Sequence, residues 1–156
     1  MKKLHLKPAH RPTMYFIGVS TAHSMIMRVF PEWAKRLNLG DCGIHGIDLA
    51  LHDEAEHYRE AVAFIKTDPL SLGALVTTHK IDLLRASRDM FDEIYEFASL
   101  MGEVSSLSKS DGRLVGAAKD PITAGSVSIS RSNTFTRRPR GTMTPCWPAS
   151  PRDHWS

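Results

Sequence analysis

The chain has 156 residues, 42% of them hydrophobic and 24% charged, which is the make-up of one soluble globular domain with a real core and is short for two. Its formal charge of +3 does not mark a specific nucleic-acid binder, because five arginines and one aspartate fall after Gly125 while the other 15 basic and 16 acidic residues nearly cancel, leaving no basic footprint on the body. Cys42 and Cys146 have no paired Cys or His spacing, and no apolar run approaches a signal peptide or membrane span, so the expectation is a cytoplasmic protein with no disulfide framework, no metal site and no membrane anchor.

Residues 1–12 are basic and carry Pro8 and Pro12, which bar a continuous helix or central strand, and a loose leader is expected there. The run Met14 to Ser20 is short, apolar and aromatic-rich, as a buried strand requires. Val29, Phe30, Trp33 and Leu37 then form one helical face. Pro31 suits that helix if it begins near Arg28, since first-turn amides have no internal partner to lose; otherwise it introduces a kink. Ile47, Leu49 and Leu51 alternate along a second strand from Ile44 to Leu51, and Ala55, Tyr58, Val62 and Ile65 share a helical face.

A third strand is expected over Gly73 to Thr78. A long helix follows over Lys80 to Leu100, with Ile81, Leu84, Phe91, Ile94 and Ala98 on its faces. Between Glu103 and Lys119, two strand-like runs flank Ser110-Asp111-Gly112, the signal of a tight β-hairpin turn. The fold class implied is α/β, a mainly parallel open sheet with flanking helices and a C-terminal antiparallel hairpin. His52 and His57 lack the i, i+4 spacing of paired metal ligands on a helix and are expected at the surface. The three glycines between Gly40 and Gly46 lack a phosphate-binding context and suggest a turn into the second strand.

Three segments, in chain order, carry a resemblance. Gly18 to Ser24 (GVSTAHS) is similar to a Gly-Asn-Pro-x-x-His-Ser-x-Ser-Pro loop, with His23 and Ser24 in place, Ile26 and Met27 where the second serine and the proline would stand, and Val19-Ser20 for Asn-Pro. Gly73 to Lys80 (GALVTTHK) resembles Gly-x-Asn-Val-Thr-x-Pro-x-Lys shortened by one residue; Val76, Thr77 and Lys80 match, and Leu75 replaces the asparagine. Gly102 to Gly125 resembles Gly-Ala-Val-Asn-Thr-Val followed by Asp-Gly-x-Leu-x-Gly-x-Asn-Thr-Asp-Gly. Asp111, Gly112, Leu114, Gly116 and Asp120 are in register, with Ser105 for the asparagine, Lys119 for the threonine and Pro121 for the last glycine. These are motifs of the shikimate dehydrogenase family, and residues 13–124 resemble its N-terminal, substrate-binding domain.

The resemblance implies an NADP-dependent oxidoreductase of the shikimate or quinate type. Lys80 would be the acid/base residue and Asp120 its acidic partner, with Ser24, Thr77 and Ser105 as substrate-binding residues. Moving hydride at a carbinol carbon requires a proton to move on its oxygen, and a positioned lysine can give or take it. Taken alone, Ser24 reads as a serine near a helix start that satisfies backbone amides. Lys80 reads as a solvated charge, although a lysine at a helix start opposes the helix dipole. Asp120-Pro121 reads as a turn.

From Gly125 the apolar periodicity stops, and six Ser, four Thr, four Pro and five Arg suggest a disordered basic tail over 125–156. In the resembled family a nicotinamide-binding domain follows the hairpin. No G-x-G-x-x-G occurs after Gly125, so no residue of the chain is assigned to cofactor binding, and a product truncated before the cofactor domain, inactive by itself, is expected. Self-association through the surface left exposed there follows. The alternative is a non-catalytic module that binds a hydroxylated carboxylic acid or a partner protein.

Overall fold

The computed structural model describes residues 4 and 6–120. The tail expected over 125–156 lies outside the described residues, as do positions 1–3 and 5 of the leader. Six strands, β1 (Thr13–Gly18), β2 (Gly43–Asp48), β3 (Ser71–Val76), β4 (Glu93–Ile94), β5 (Ser106–Ser110) and β6 (Arg113–Ala117), form one sheet in the order β2-β1-β3-β5-β6-β4. Four α-helices, α1 (Met25–Arg36), α2 (Ala55–Thr67), α3 (Lys80–Ser87) and α4 (Glu96–Met101), and one 3-10 turn (Arg88–Met90) complete the described elements. Parallel pairing joins β1 to β2 and β3, and β4 to β6; β5 is antiparallel to both its neighbours. Five strands therefore point one way and β5 alone runs against them, the mainly parallel sheet with an antiparallel hairpin that the sequence implies.

Period-two alternation gives the sheet two apolar faces. Tyr15, Ile17, Ile47, Ala74 and Val76 pack with Tyr58, Val62 and Ile65 of α2 and Leu83 and Leu84 of α3. Phe30, Ala34 and Cys42 form a smaller cluster on α1, backed by Met14, Ile44 and Leu72. The hairpin turns at Asp111 and Gly112 with φ of 51° and 76°, the left-handed pair that a two-residue hairpin loop needs.

Several elements differ from expectation in their limits. Helix α1 begins at Met25, so Pro31 sits inside it and cannot donate to the Met27 carbonyl one turn back. Strand β2 ends at Asp48; Leu49 is buried, but Leu51 is exposed because the chain turns there, with His52 at φ 50°. The single long helix expected after Lys80 is broken in three. The Ser87 hydroxyl donates to the Leu83 carbonyl (2.6 Å), residues 88–90 tighten into a 3-10 turn, and Asp92 takes the Leu114 amide on its carboxylate (2.7 Å) while its own N–H donates to Leu114 O (2.9 Å). Those bonds draw Glu93–Ile94 into the sheet beside β6, and a helix resumes only at Glu96. The apolar spacing of Phe91, Ile94 and Ala98 fits a helix equally well, and tertiary pairing decides between the two.

Candidate functional site

The topology gathers the residues singled out by sequence at one edge of the sheet. Ser24 follows β1, and Thr77 and Lys80 follow β3, so all three lie at carboxyl ends of parallel strands. Ser105 precedes β5 and Asp120 follows β6; because β5 alone is reversed, the start of β5 and the end of β6 fall at that same edge. Open α/β sheets bind ligands in this position.

Lys80 is the first residue of α3, with its side chain one-quarter exposed, and its Nζ donates to the Asp120 carboxylate. The backbone fixes both ends of this pair. The Lys80 carbonyl accepts the Val104 N–H (3.1 Å), which ties α3 to the start of the hairpin. The Ser105 hydroxyl accepts the Lys119 N–H (2.8 Å), holding the segment that carries Asp120. Ser105 is buried, at 7% exposure, so its side chain supports the site from beneath.

Thr77 is exposed and donates its N–H to Ile17 O (3.0 Å), which places it against the end of β1. A Cβ built on Gly18 would come within 3.1 Å of the Thr77 methyl, so glycine is what lets these two loops approach. Ser24 is the N-cap of α1 in extended conformation, yet its side chain makes no capping hydrogen bond. The capping role that a serine there suggests is therefore not taken up. Ser24 shares the edge with the lysine–aspartate pair, and the contacts that assemble the pair run through residues 76–80, 104–105 and 117–120 instead.

Sequence reasoning passed over His79. Its ring is buried at 1% exposure, Nδ1 lies 3.2 Å from the Tyr58 hydroxyl, and Nε2 makes no hydrogen bond among the described residues. The Tyr58 oxygen also accepts the Asp53 N–H (3.2 Å), and burial raises the Tyr58 pKa. Thr78, between Thr77 and His79, has φ 41°, a left-handed conformation uncommon for a β-branched residue. The turn that delivers Lys80 thus combines a left-handed Thr78 with a buried histidine next to it. The only sign of it in the sequence is a polar residue placed between two apolar-patterned segments.

No protein-family model matches the chain, and no curated protein sequence does. Solved structures do. A shikimate 5-dehydrogenase from Listeria monocytogenes, solved in complex with shikimate and NAD, superposes with a TM-score of 0.63 at 18% identity, covering 80% of this chain and 40% of that one. The fold is that of shikimate dehydrogenases. The shikimate 5-dehydrogenase of Thermus thermophilus, in complex with NADP(H) and shikimate, gives a TM-score of 0.56 at 19% identity, covering 76% of this chain and 42% of that one. The same fold serves a 5-ketofructose reductase of a Gluconobacter species, with a TM-score of 0.56 at 21% identity and coverage of 78% and 40%. This chain therefore spans about 40% of the length of these shikimate dehydrogenase-fold structures.

The first strand-to-helix turn, where a dinucleotide cradle would open, reads Gly18-Val19-Ser20-Thr21-Ala22, without the glycine spacing that lets backbone approach a pyrophosphate. No helix among the described residues is long and apolar enough to cross a membrane.

Proposed function

We propose that this chain is the substrate-holding part of a shikimate dehydrogenase-like oxidoreductase, acting on a hydroxylated ring acid of the shikimate or quinate type. The observation that carries the reading is the Lys80–Asp120 pair, made by residues 40 apart in sequence at the carboxyl edge of this fold. In the proposal Lys80 Nζ gives a proton to, or takes one from, the ligand oxygen whose carbon changes oxidation level. Asp120 orients the ammonium and accepts from a neighbouring ligand hydroxyl. Thr77 and Ser24 supply hydroxyls toward the ligand, and Ser105 holds Asp120 in place. NADP is assigned to a cofactor-binding unit that meets this edge, and the residues described here are given only binding and proton movement.

A titration of the full chain with shikimate and with quinate, followed by ligand-observed NMR, tests the reading. Lys80→Ala and Asp120→Asn should each weaken binding at least about tenfold, the loss expected for a charge-assisted hydrogen bond. Affinity unchanged in Lys80→Ala would remove that residue from the site. Because the fold also belongs to a 5-ketofructose reductase, and Ile26 and Met27 stand where the resembled loop has a second serine and a proline, 5-ketofructose belongs in the same series. Tighter binding of the uncharged ketone would move the substrate class away from ring acids.

Val19, Met25 and Ile81 are exposed at this edge, and Phe97, Leu100 and Met101 are exposed on α4. Apolar side chains clustered on one side of a small domain favour association. Sedimentation velocity of the chain should show the weight-average mass rising with concentration; a monomer throughout the accessible range would show that this surface is covered.

A further inference from the structure

Lys80 starts α3 at the end of a turn that two backbone bonds bracket. Thr77 N–H donates to Ile17 O (3.0 Å) before it, and Lys80 O accepts the Val104 N–H (3.1 Å) after it. Between these anchors Thr78 holds φ 41°, a region that β-branched residues rarely enter and that persists only where the surroundings impose it. Thr78 is exposed, and among the described residues the only side chain of 77–79 that makes a hydrogen bond is His79.

The contacts of that side chain decide which of its nitrogens carries hydrogen. Nδ1 lies 3.2 Å from the Tyr58 hydroxyl, whose oxygen already accepts the Asp53 N–H (3.2 Å). Burial raises the Tyr58 pKa, so the phenol keeps its proton. Among the described residues that proton has no acceptor other than His79 Nδ1. A ring with hydrogen on Nδ1 would leave two buried groups unmet, the Tyr58 O–H and the Nε2 lone pair, whereas a ring that accepts at Nδ1 leaves one, the Nε2–H. The imidazole therefore accepts from Tyr58.

A chain of bonds thus runs from the Asp53 amide through Tyr58 on α2 to His79 before α3. Its far end is fixed as well. The Asp53 carboxylate accepts the amides of Ala50 (2.9 Å) and Glu54 (2.9 Å) and lies 2.7 Å from Nδ1 of His57. His57, expected at the surface, is largely enclosed, with its side chain 12% exposed. At the near end, His79 N–H donates to Thr77 O and its carbonyl accepts the Leu83 N–H (2.8 Å), the first bond of α3. Holding the ring against α2 therefore sets the direction in which α3 starts, and Lys80 is the next residue. We propose that His79 is a positioning residue for Lys80: by accepting the Tyr58 proton it keeps the turn in which Lys80 Nζ reaches the Asp120 carboxylate. Its place in a reaction rests on the proton-handling role given to Lys80 above, but the positioning is measured on the Lys80–Asp120 pair itself.

In the wild-type chain, long-range 1H–15N correlations of the His79 ring should show hydrogen on Nε2 and none on Nδ1; hydrogen on Nδ1 would overturn the assignment without any substitution. The Lys80 Hε–Cε resonance, assigned by its loss in Lys80→Arg, reports the pair, and Asp120→Asn supplies its unpaired position. His79→Leu and Tyr58→Phe should both move it toward that position. His79→Asn keeps an acceptor near the place of Nδ1 and should leave it where the wild type has it. Ser87→Ala removes another buried bond of α3, from the hydroxyl to Leu83 O (2.6 Å), and should lower Tm without moving Lys80. A Lys80 resonance unmoved in either Leu or Phe variant, displaced in His79→Asn, or moved equally by Ser87→Ala would overturn the positioning role. Shikimate should bind about fivefold more weakly to His79→Leu and as well as wild type to His79→Asn. If the wild-type chain binds no shikimate, the function given to this edge fails, while the Lys80 resonance still decides what His79 does.

Discussion

Replacing Gly73 by alanine should destabilise the domain by roughly 4 kcal/mol, combining the cost of a strained backbone with that of overpacking. Gly73 has φ 121°, which L side chains rarely adopt, and a Cβ there would lie 2.0 Å from the Leu107 carbonyl oxygen. The close approach arises where β3 accommodates an extra residue: Thr13 pairs with Ser71 and Met14 with Gly73, so Leu72 is passed over, and Gly73 then faces Ser108 of β5. The nearest atoms, Leu107 O and C and Ser108 Cα, are all backbone of β5, so no flexible side chain is there to yield. Chemical denaturation should show a midpoint shift with little change in slope. A variant of wild-type stability would mean that the irregularity can move along β3 without penalty.

Asp68→Asn is the second large effect, expected at about 3 kcal/mol and a fall in Tm of roughly 10 °C. The residue is buried at the end of α2, where Oδ2 accepts the Tyr15 hydroxyl (2.6 Å) and the Ala9 N–H (3.0 Å), and Oδ1 accepts the Leu70 N–H (3.0 Å). An asparagine has one oxygen to offer and must turn its NH2 toward a donor on the other side. Tyr15→Phe should cost less, because the amides keep their acceptor.

The pH dependence has a definite sign. Burial raises the Asp68 pKa, but the Tyr15 hydrogen bond, the two amides and nearby Lys109 overcome that and lower it from 3.8. A depressed folded value means the stabilisation is present above the unfolded pKa near 3.8 and is lost as pH falls through the lower folded value. Wild type should therefore lose stability on acidification through this window more steeply than Asp68→Asn. Parallel acid profiles would rule out ionised Asp68 as the cause.

How legible all this was in the sequence depended on the range of the interactions. Tyr15 and Ile17 alternate with Met14 and Phe16, and Tyr58, Val62 and Ile65 repeat at helical spacing, because burial on one face is a local pattern that the chain writes directly. Asp111-Gly112 signalled its turn for the same reason. The break after α3 was not legible: Asp92 leaves helical geometry to pair with Leu114, a residue 22 positions on. His57 was misplaced because five residues from His52 is the wrong spacing for two ligands, whereas the spacing that mattered was four, to Asp53. At the Lys80 edge, motif register identified Lys80 and Asp120, which the fold does bring together. It could not show that Ser105 turns its hydroxyl to a backbone amide, since a serine in an asparagine's place reads the same whichever way it points.

The reversal of β5 also has a consequence for the order of events at the ribosome. Lys80 and Asp120 are 40 residues apart, and at a synthesis rate of about 5–20 residues per second the aspartate is made roughly 2–8 s after the lysine. During that interval β1, β2, β3 and the three helices that pack on them can already have formed, while the carboxyl edge still lacks half of its paired charge. Only when β5 has doubled back along β3 and β6 has zipped onto β5 does Asp120 arrive beside Lys80. A nascent chain can therefore have most of its described core before Lys80 meets Asp120, and the pairing of those two side chains would report completion of the hairpin.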